Sequence, residues 1–409
     1  MRISSLQVYN AGVRQMNDAQ AAVQRSQAEI SSGKRVITPA DDPSAAALAL
    51  QIEQSLALNE QYLRNADFAE RDLRQEETQL EAVENVLFRL RELAVLAGNG
   101  ALSVAERGAI VIEAEQKHEQ LLGIFNTRTA SGDYMFAGAS GGTMPFVERD
   151  NGAVTYAGDQ GQRKLAVAPG VEVAVSDSGQ KLFVDVPAAN QNFTAHRTGA
   201  NSGAGDISTG RVVDQAAFDA LYPDDLLLIF DNPPTTYSVV RRNHANGTQT
   251  VFATAQPFVT GQIITLAGTE TRISGSPAAG DRFRINSSPT QSLLETVQRF
   301  VDGLKASPDT TAGAAERARV VAETLDNLDL AEQSVFGSRA ELGTRLDLVD
   351  DLRAEQQDVA LIQQGLLSDT VDVDFNEAAS RLAFQNFVLQ AAQQSFAKFA
   401  NLSLFNFLR

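Results

Sequence analysis

Residues 376–409 read NEAASRLAFQNFVLQAAQQSFAKFANLSLFNFLR. Leu382, Leu389 and Phe396 recur every seven residues, and Gln385, Ala392 and Phe399 follow three further along each time. That is a two-position heptad seam with no Pro or Gly to interrupt it. The stretch holds six of the chain's 21 Phe and only four charged side chains. Ordering a residue costs about 1–2 kcal/mol of backbone entropy. Burying a large apolar side chain returns about 1.5–3 kcal/mol. Over a stretch this long the balance is marginal unless a second helix covers the seam.

The opening of the chain supplies one. Leu6, Val13, Gln20 and Gln27 form one seven-residue series, and Tyr9, Met16, Val23 and Ile30 form the other. Gaps of three and four alternate throughout, which is coiled-coil spacing. Ser31-Ser32-Gly33 ends the helix, with Gly33 suited to the left-handed position after a helix end. An amphipathic helix docked on a globular core is the alternative. Matching seams at both ends predict a terminal coiled-coil domain of residues 1–42 and 368–409, with 368–376 as a loop.

Between the ends lie two further kinds of sequence. Asp42 is a good N-cap and Pro43 a good first helical residue. From there Ile52, Asn59, Ala66, Leu73, Leu80, Leu87 and Ala94 make one series. Ser55, Tyr62, Ala69, Glu76, Val83, Leu90 and Ala97 make the other. At about 1.5 Å per residue this is a rod of roughly 80 Å, stopped by Gly98-Asn99-Gly100. Ser103 with Glu106 has the capping-box spacing for a helix near 103–129. Residues 290–367 return to helix: Val321, Leu328, Val335, Leu342 and Val349 keep the seven-residue step, and Leu352, Val359 and Leu366 resume it after a slip of three. Residues 43–130 and 290–367 therefore form a helical rod domain.

Residues 131–289 change character, with Gly, Pro, Asn and Ser rising and short β-type runs appearing. Strands are expected at 153–157, 164–168, 171–175, 181–186, 226–230, 236–241, 262–266 and 281–286, with turns such as Asp150-Asn151-Gly152 and Asn246-Gly247. The insertion falls into one part or two (131–190 and 191–289), with the Gly/Ser-rich stretch 198–210 near the division. The fold class is α+β and multidomain: a long antiparallel helical bundle and coiled coil built from both chain ends, with a central antiparallel β-domain insertion.

Charge and composition narrow the function. Net charge is −17, which argues against nucleic acid and anionic membrane as partners. Residues 1–40 carry +3 and 376–409 carry +2, leaving −22 on the rest. Weakly charged ends on an acidic body suit ends that pack against something. There is no Cys, so no disulfide is needed. The N-terminus lacks the apolar core of a cleaved signal peptide, and no apolar run approaches a membrane span.

A search for chemistry finds little. His118-Glu119-Gln120-Leu121-Leu122 starts like the zinc-protease motif HExxH, but Leu122 stands where the second His belongs. Asp372, Asp374 and Asn376 occupy odd positions of a calcium loop whose required Gly is Glu377, so helix capping is the better account. No phosphate loop and no nucleophile elbow occur. No enzyme activity, metal or cofactor is expected.

Residues 30–50, ISSGKRVITPADDPSAAALAL, resemble the signature that closes the first helix of bacterial flagellins and opens the next. LFRLRELAVLA at 87–97 resembles the flagellin segment with an Arg-x-Arg-Glu-Leu core, and the tail LSLFNFLR resembles a flagellin-family C-terminus. Within that family, YMFAGASGGTMPF and VTYAGDQGQRKLAVAPGVEVAVSDSG resemble the hook-associated members more than filament flagellins.

The resemblance implies a structural part of the flagellum at the hook–filament junction, outside the cell, exported largely unfolded by the flagellar type III apparatus. It implies copies of the chain in a ring, the first hook-associated protein on the hook side and flagellin on the distal side. It implies a cytosolic export chaperone on the C-terminal helix. Assembly residues would be Leu6, Tyr9, Val13, Met16, Val23 and Ile30 on the first helix. On the last they would be Leu382, Leu389, Ala392, Phe396 and Phe399, which also meet the chaperone. Arg89, Arg91 and Glu92 are either plain exposed residues or lateral contacts between subunits. A flagellin that builds the filament itself, and an enzyme on a flagellin-like scaffold, remain as alternatives.

Overall fold

The computed structural model describes residues 5–149, 154–198 and 200–407. Helix α1 (Ser5–Ser32) stops where Gly33 takes φ +71°, a backbone position that costs glycine nothing. The Asp42 carboxylate accepts the Ala45 N–H at 3.0 Å and starts α2 (Pro43–Ala97). Helix α3 (Val104–Phe125) opens on the capping box of Ser103 and Glu106. Helices α5 (Leu293–Ala306), α6 (Thr311–Val371) and α7 (Phe375–Phe407) close the chain.

The chain divides into two compact units: residues up to Arg64 with those from Leu352 onward, and Asn65–Asp351. In the second unit the α2 seam is buried from Ala66 through Leu73, Leu80 and Leu87 to Ala94, facing Leu328, Val335, Leu342 and Val349 of α6. The two helices are antiparallel there: Arg91 reaches Glu332 at 3.3 Å, and Arg339 reaches Glu84 and Glu77.

Two small hairpins follow α3: β1 (Phe146–Glu148) with β2 (Val154–Tyr156), and β3 (Lys164–Ala168) with β4 (Val171–Ala174). The turn expected at Asp150-Asn151-Gly152 lies outside the described residues. The strand expected at 181–186 is instead a π-helical turn, Gln180–Val184. A strand would send Leu182 and Phe183 to opposite faces. Here both are buried, with Phe183 stacked on Phe125 at 3.9 Å.

A larger β body comes next. Its five-stranded antiparallel sheet runs β10 (Gln249–Pro257), β9 (Thr236–Arg242), β8 (Asp225–Phe230), β13 (Arg282–Thr290), β5 (Pro187–Arg197). A four-stranded sheet combines β11 (Ile263–Leu266) and β12 (Thr269–Ser274) with the short β6 (Asp206–Ile207) and β7 (Arg211–Val212). With the one-turn α4 (Gln215–Asp219) they enclose one core around Phe193, Phe218, Leu228, Phe230 and Phe283. Residues 198–205 connect β5 to β6 within this body. The loop expected at 368–376 is shorter: α6 continues to Val371 and α7 starts at Phe375.

Candidate assembly surface

In the first unit α1 and α7 lie side by side, antiparallel. Tyr9 and Phe396 bring their rings within 5.2 Å near one end, and Arg381 bonds the buried Glu29 carboxylate at 2.5 Å near the other. A Cβ added to Gly12 would stand 2.9 Å from the Phe396 ring, so Gly12 leaves the space that the ring fills. On α7 the half-buried row is Leu382, Gln385, Leu389, Ala392 and Phe396, following Ala378. On α1 the facing row is Met16, Ala19 and Ile30, half-buried, with Val23 and Ser26 fully buried. Gln20 and Gln27, expected in that seam, are exposed. The small Gly12, Ala19 and Ser26 take the intervening places one residue earlier, and at Gly12 the missing Cβ admits the Phe396 ring. Val13 is half-buried and Tyr9 is 52% exposed. The side chains of Leu6 and Phe399 lie outside the described residues.

The two bends at the base of this pair hold each other through the backbone. Arg35 N–H donates to the Val371 carbonyl at 2.7 Å and Val373 N–H to Gly33 at 3.0 Å. The Arg35 guanidinium adds a 2.7 Å bond to the Thr370 carbonyl. Asp374 caps α7, accepting from the N–H groups of Asn376 at 2.9 Å and Glu377 at 3.2 Å. Asp41 and Asp42 sit below the usual carboxylate range, the first chiefly through the Thr38 N–H and the second through that of Ala45.

The seam between α2 and α6 in this unit is polar. Asn59 Nδ2 donates to the Gln356 carbonyl at 2.8 Å, and Gln363 Nε2 to Ser55 Oγ at 2.8 Å. The side-chain carbonyl oxygens of Asn59, Gln363 and, on α7, Gln385 are buried without a hydrogen-bond partner. Such amides fix register at a cost in stability.

Much apolar surface is left bare. Phe384 and Phe387 on α7 are each 67% exposed, and Val388 beside them is also open. Leu361 and Ile362 on α6 are 66% and 70% exposed. Sequence reading put only the α1–α7 seam forward and missed these side chains and Gly12. The signal was there in a stretch so rich in Phe that one seam could not hold them all.

Arg89, Arg91 and Glu92 lie in the second unit and are already paired in the chain. Arg89 meets Glu113 of α3 through two bonds, 2.6 and 3.0 Å, and Glu92 at 2.6 Å. Arg91 bonds Asp329 and Glu332 of α6. Burial lowers the pKa of His118. Among the described residues no group of three or more His, Cys, Asp or Glu is placed to hold a metal, and no helix is long and apolar enough to cross a membrane.

The terminal helices pair and leave Phe384 and Phe387 uncovered, and comparison with known proteins makes the class flagellin-like. Residues 3–140 match the model of the bacterial flagellin N-terminal helical region. Beyond that region, the chain is 26% identical over 406 residues to flagellar hook-associated protein 3 of Escherichia coli (strain K12), covering 99% of each. It is similar to the crystal structure of flagellar hook-associated protein 3 from Legionella pneumophila, with 31% identity, 78% of this chain and 98% of that one covered, and a TM-score of 0.53. A structure of the flagellar junction protein FlgL from the same organism gives 30% identity, 79% and 99% coverage, and a TM-score of 0.50. The chain belongs to the flagellar hook-associated protein 3 family.

Proposed function

We propose that this protein is the structural subunit that joins the flagellar hook to the flagellin filament. One observation carries the reading: similarity to hook-associated protein 3 runs over 99% of the chain, β region included, whereas similarity to filament proteins covers 25% of it in one case and 51% in another. That contrast also disfavours a filament flagellin.

The mechanism follows from the ends. Copies of the chain stand in a ring, with the first hook-associated protein on one side and flagellin on the other. Phe384, Phe387 and Val388 are buried when a neighbouring subunit arrives, and each buried side chain contributes about 1.5–3 kcal/mol. Folding of the ends is thereby coupled to addition. In the cytosol an export chaperone covers the same helix, around Leu382, Leu389, Ala392, Phe396 and Phe399, and the chain leaves largely unfolded. Arg89, Arg91 and Glu92 add lateral contacts through the edges their intrachain pairs leave open. The role needs no catalysis.

Deleting the gene and imaging the cells tests this. Hooks that bear no filament while flagellin accumulates in the medium are expected. Normal filaments on the deletion strain would rule the junction role out.

A further inference from the structure

Glu76 lies in the middle of α2, on the buried seam, with 0% of its surface exposed. Neither carboxylate oxygen has a hydrogen-bond partner. The backbone N–H of Asp177 faces it without reaching bonding geometry. Asp177 lies between β4 and the π-helical turn, in a loop seated against α2 and α6, and is itself buried.

The cations nearby are committed elsewhere. Arg345 of α6 holds the Asp177 carboxylate through two bonds, 2.8 and 3.2 Å, with Glu341 at 3.6 Å. Gln162 donates to the same Asp177 at 2.5 Å. Arg163, just before β3, pairs with Asp133 at 3.0 Å. On α2 itself the nearest acidic neighbour one turn back is Asp72, half-buried and also raised in pKa by burial. Lys181 takes Glu341 at 2.9 Å and Arg71 lies near Asp72, so four cations, none of them bonded to Glu76, face the five carboxylates of Asp177, Asp133, Glu341, Asp72 and Glu76. A further unpaired anion in a dry site is strongly disfavoured, and a proton is the smallest group that removes it.

We propose that Glu76 takes up a proton as the loop carrying Asp177 seats between α2 and α6, so that seating of this loop is linked to proton binding and loosens as the pH rises from acid through neutral. The proton comes from solvent, adds to one carboxylate oxygen and returns to solvent when the loop lifts. Burial first, and the charge of Asp177 second, push the Glu76 pKa up from 4.5 to about 8. Between those values the folded state holds one proton more than the unfolded state. Stability from this site is therefore greatest below the lower value, falls as pH rises through the window, and changes no further above the upper one.

The test uses the full-length monomer and its Glu76→Gln variant, which mimics the neutral acid. Urea unfolding followed by far-UV circular dichroism is compared at each pH from 4 to 9. The wild-type folding constant should fall relative to the variant by about tenfold per pH unit inside the window, with flat ratios outside it. Parallel profiles would overturn the proposal. Carboxyl carbon NMR of the glutamate-labelled wild type gives a second reading that does not depend on the variant folding. One resonance titrating near pH 8 is expected, and titration of every glutamate below about pH 5 overturns it.

Discussion

Gly12 shows how a single side chain governs the terminal pair. Its missing Cβ is the space occupied by the Phe396 ring, and Tyr9 closes the other side of that ring. Gly12→Val should expel the ring and cost about 1–3 kcal/mol of overpacking. Amide exchange should then rise along α1 and α7 while the segment 65–351 keeps its protection. Unchanged exchange at both ends would show that Phe396 does not depend on this gap.

Asn59 is the polar counterpart. It donates to Gln356 but leaves its own oxygen buried and unpaired. Asn59→Leu should stabilise the α2–α6 pairing in the first unit by up to about 1–3 kcal/mol, since an unsatisfied buried group is removed. The melting of that unit, read by circular dichroism, should move up. A lower melting temperature would mean that the amide bond outweighs the orphaned oxygen.

Among the helices, what sequence could reveal depended on how regular the burial is. The α2 series at Ile52, Asn59, Ala66, Leu73, Leu80, Leu87 and Ala94 is buried at every step, because a long helix against one antiparallel partner keeps one face inward. The α7 row was equally readable. On α1 the phase of one series was off by a residue, because Gly12, Ala19 and Ser26 carry too little hydrophobicity to mark a seam.

Strand β5 escaped detection because PAANQNFTAHR has almost no apolar alternation. Its place is fixed by pairing with β13, a contact between distant parts of the chain. The π-helical turn was read as a strand because KLFV has strand composition, and only the packing of Phe183 on Phe125 decides otherwise. The bare face of α7 was implicit in composition alone. Leu389→Asp or Phe396→Asp should abolish subunit addition and chaperone capture together. The circular dichroism of the 65–351 body should stay intact, and its loss would contradict the separation of the two units.

Taken as one polypeptide, the chain distributes stability unevenly. The second unit has a helical seam that is apolar apart from a few polar places such as Glu76, and a β core of its own. The first has Ser26, Glu29, Asn59 and Gln356 buried in its seams, orphaned amide oxygens, and Phe384 and Phe387 facing outward. That imbalance suits a subunit whose body folds alone and whose ends become firm on contact with other copies. The charge distribution agrees, since the ends are weakly positive and the remainder carries the negative charge that keeps free subunits apart.

Hydrogen–deuterium exchange, run on the dilute monomer and on assembled protein, puts this imbalance to a decisive trial. Peptides from α1 and α7 should exchange quickly in the monomer and become protected by at least about a hundredfold on assembly, while peptides from 65–351 change little. Equal, strong protection of α1 and α7 in both states would contradict the idea that the chain ends are completed by neighbouring subunits.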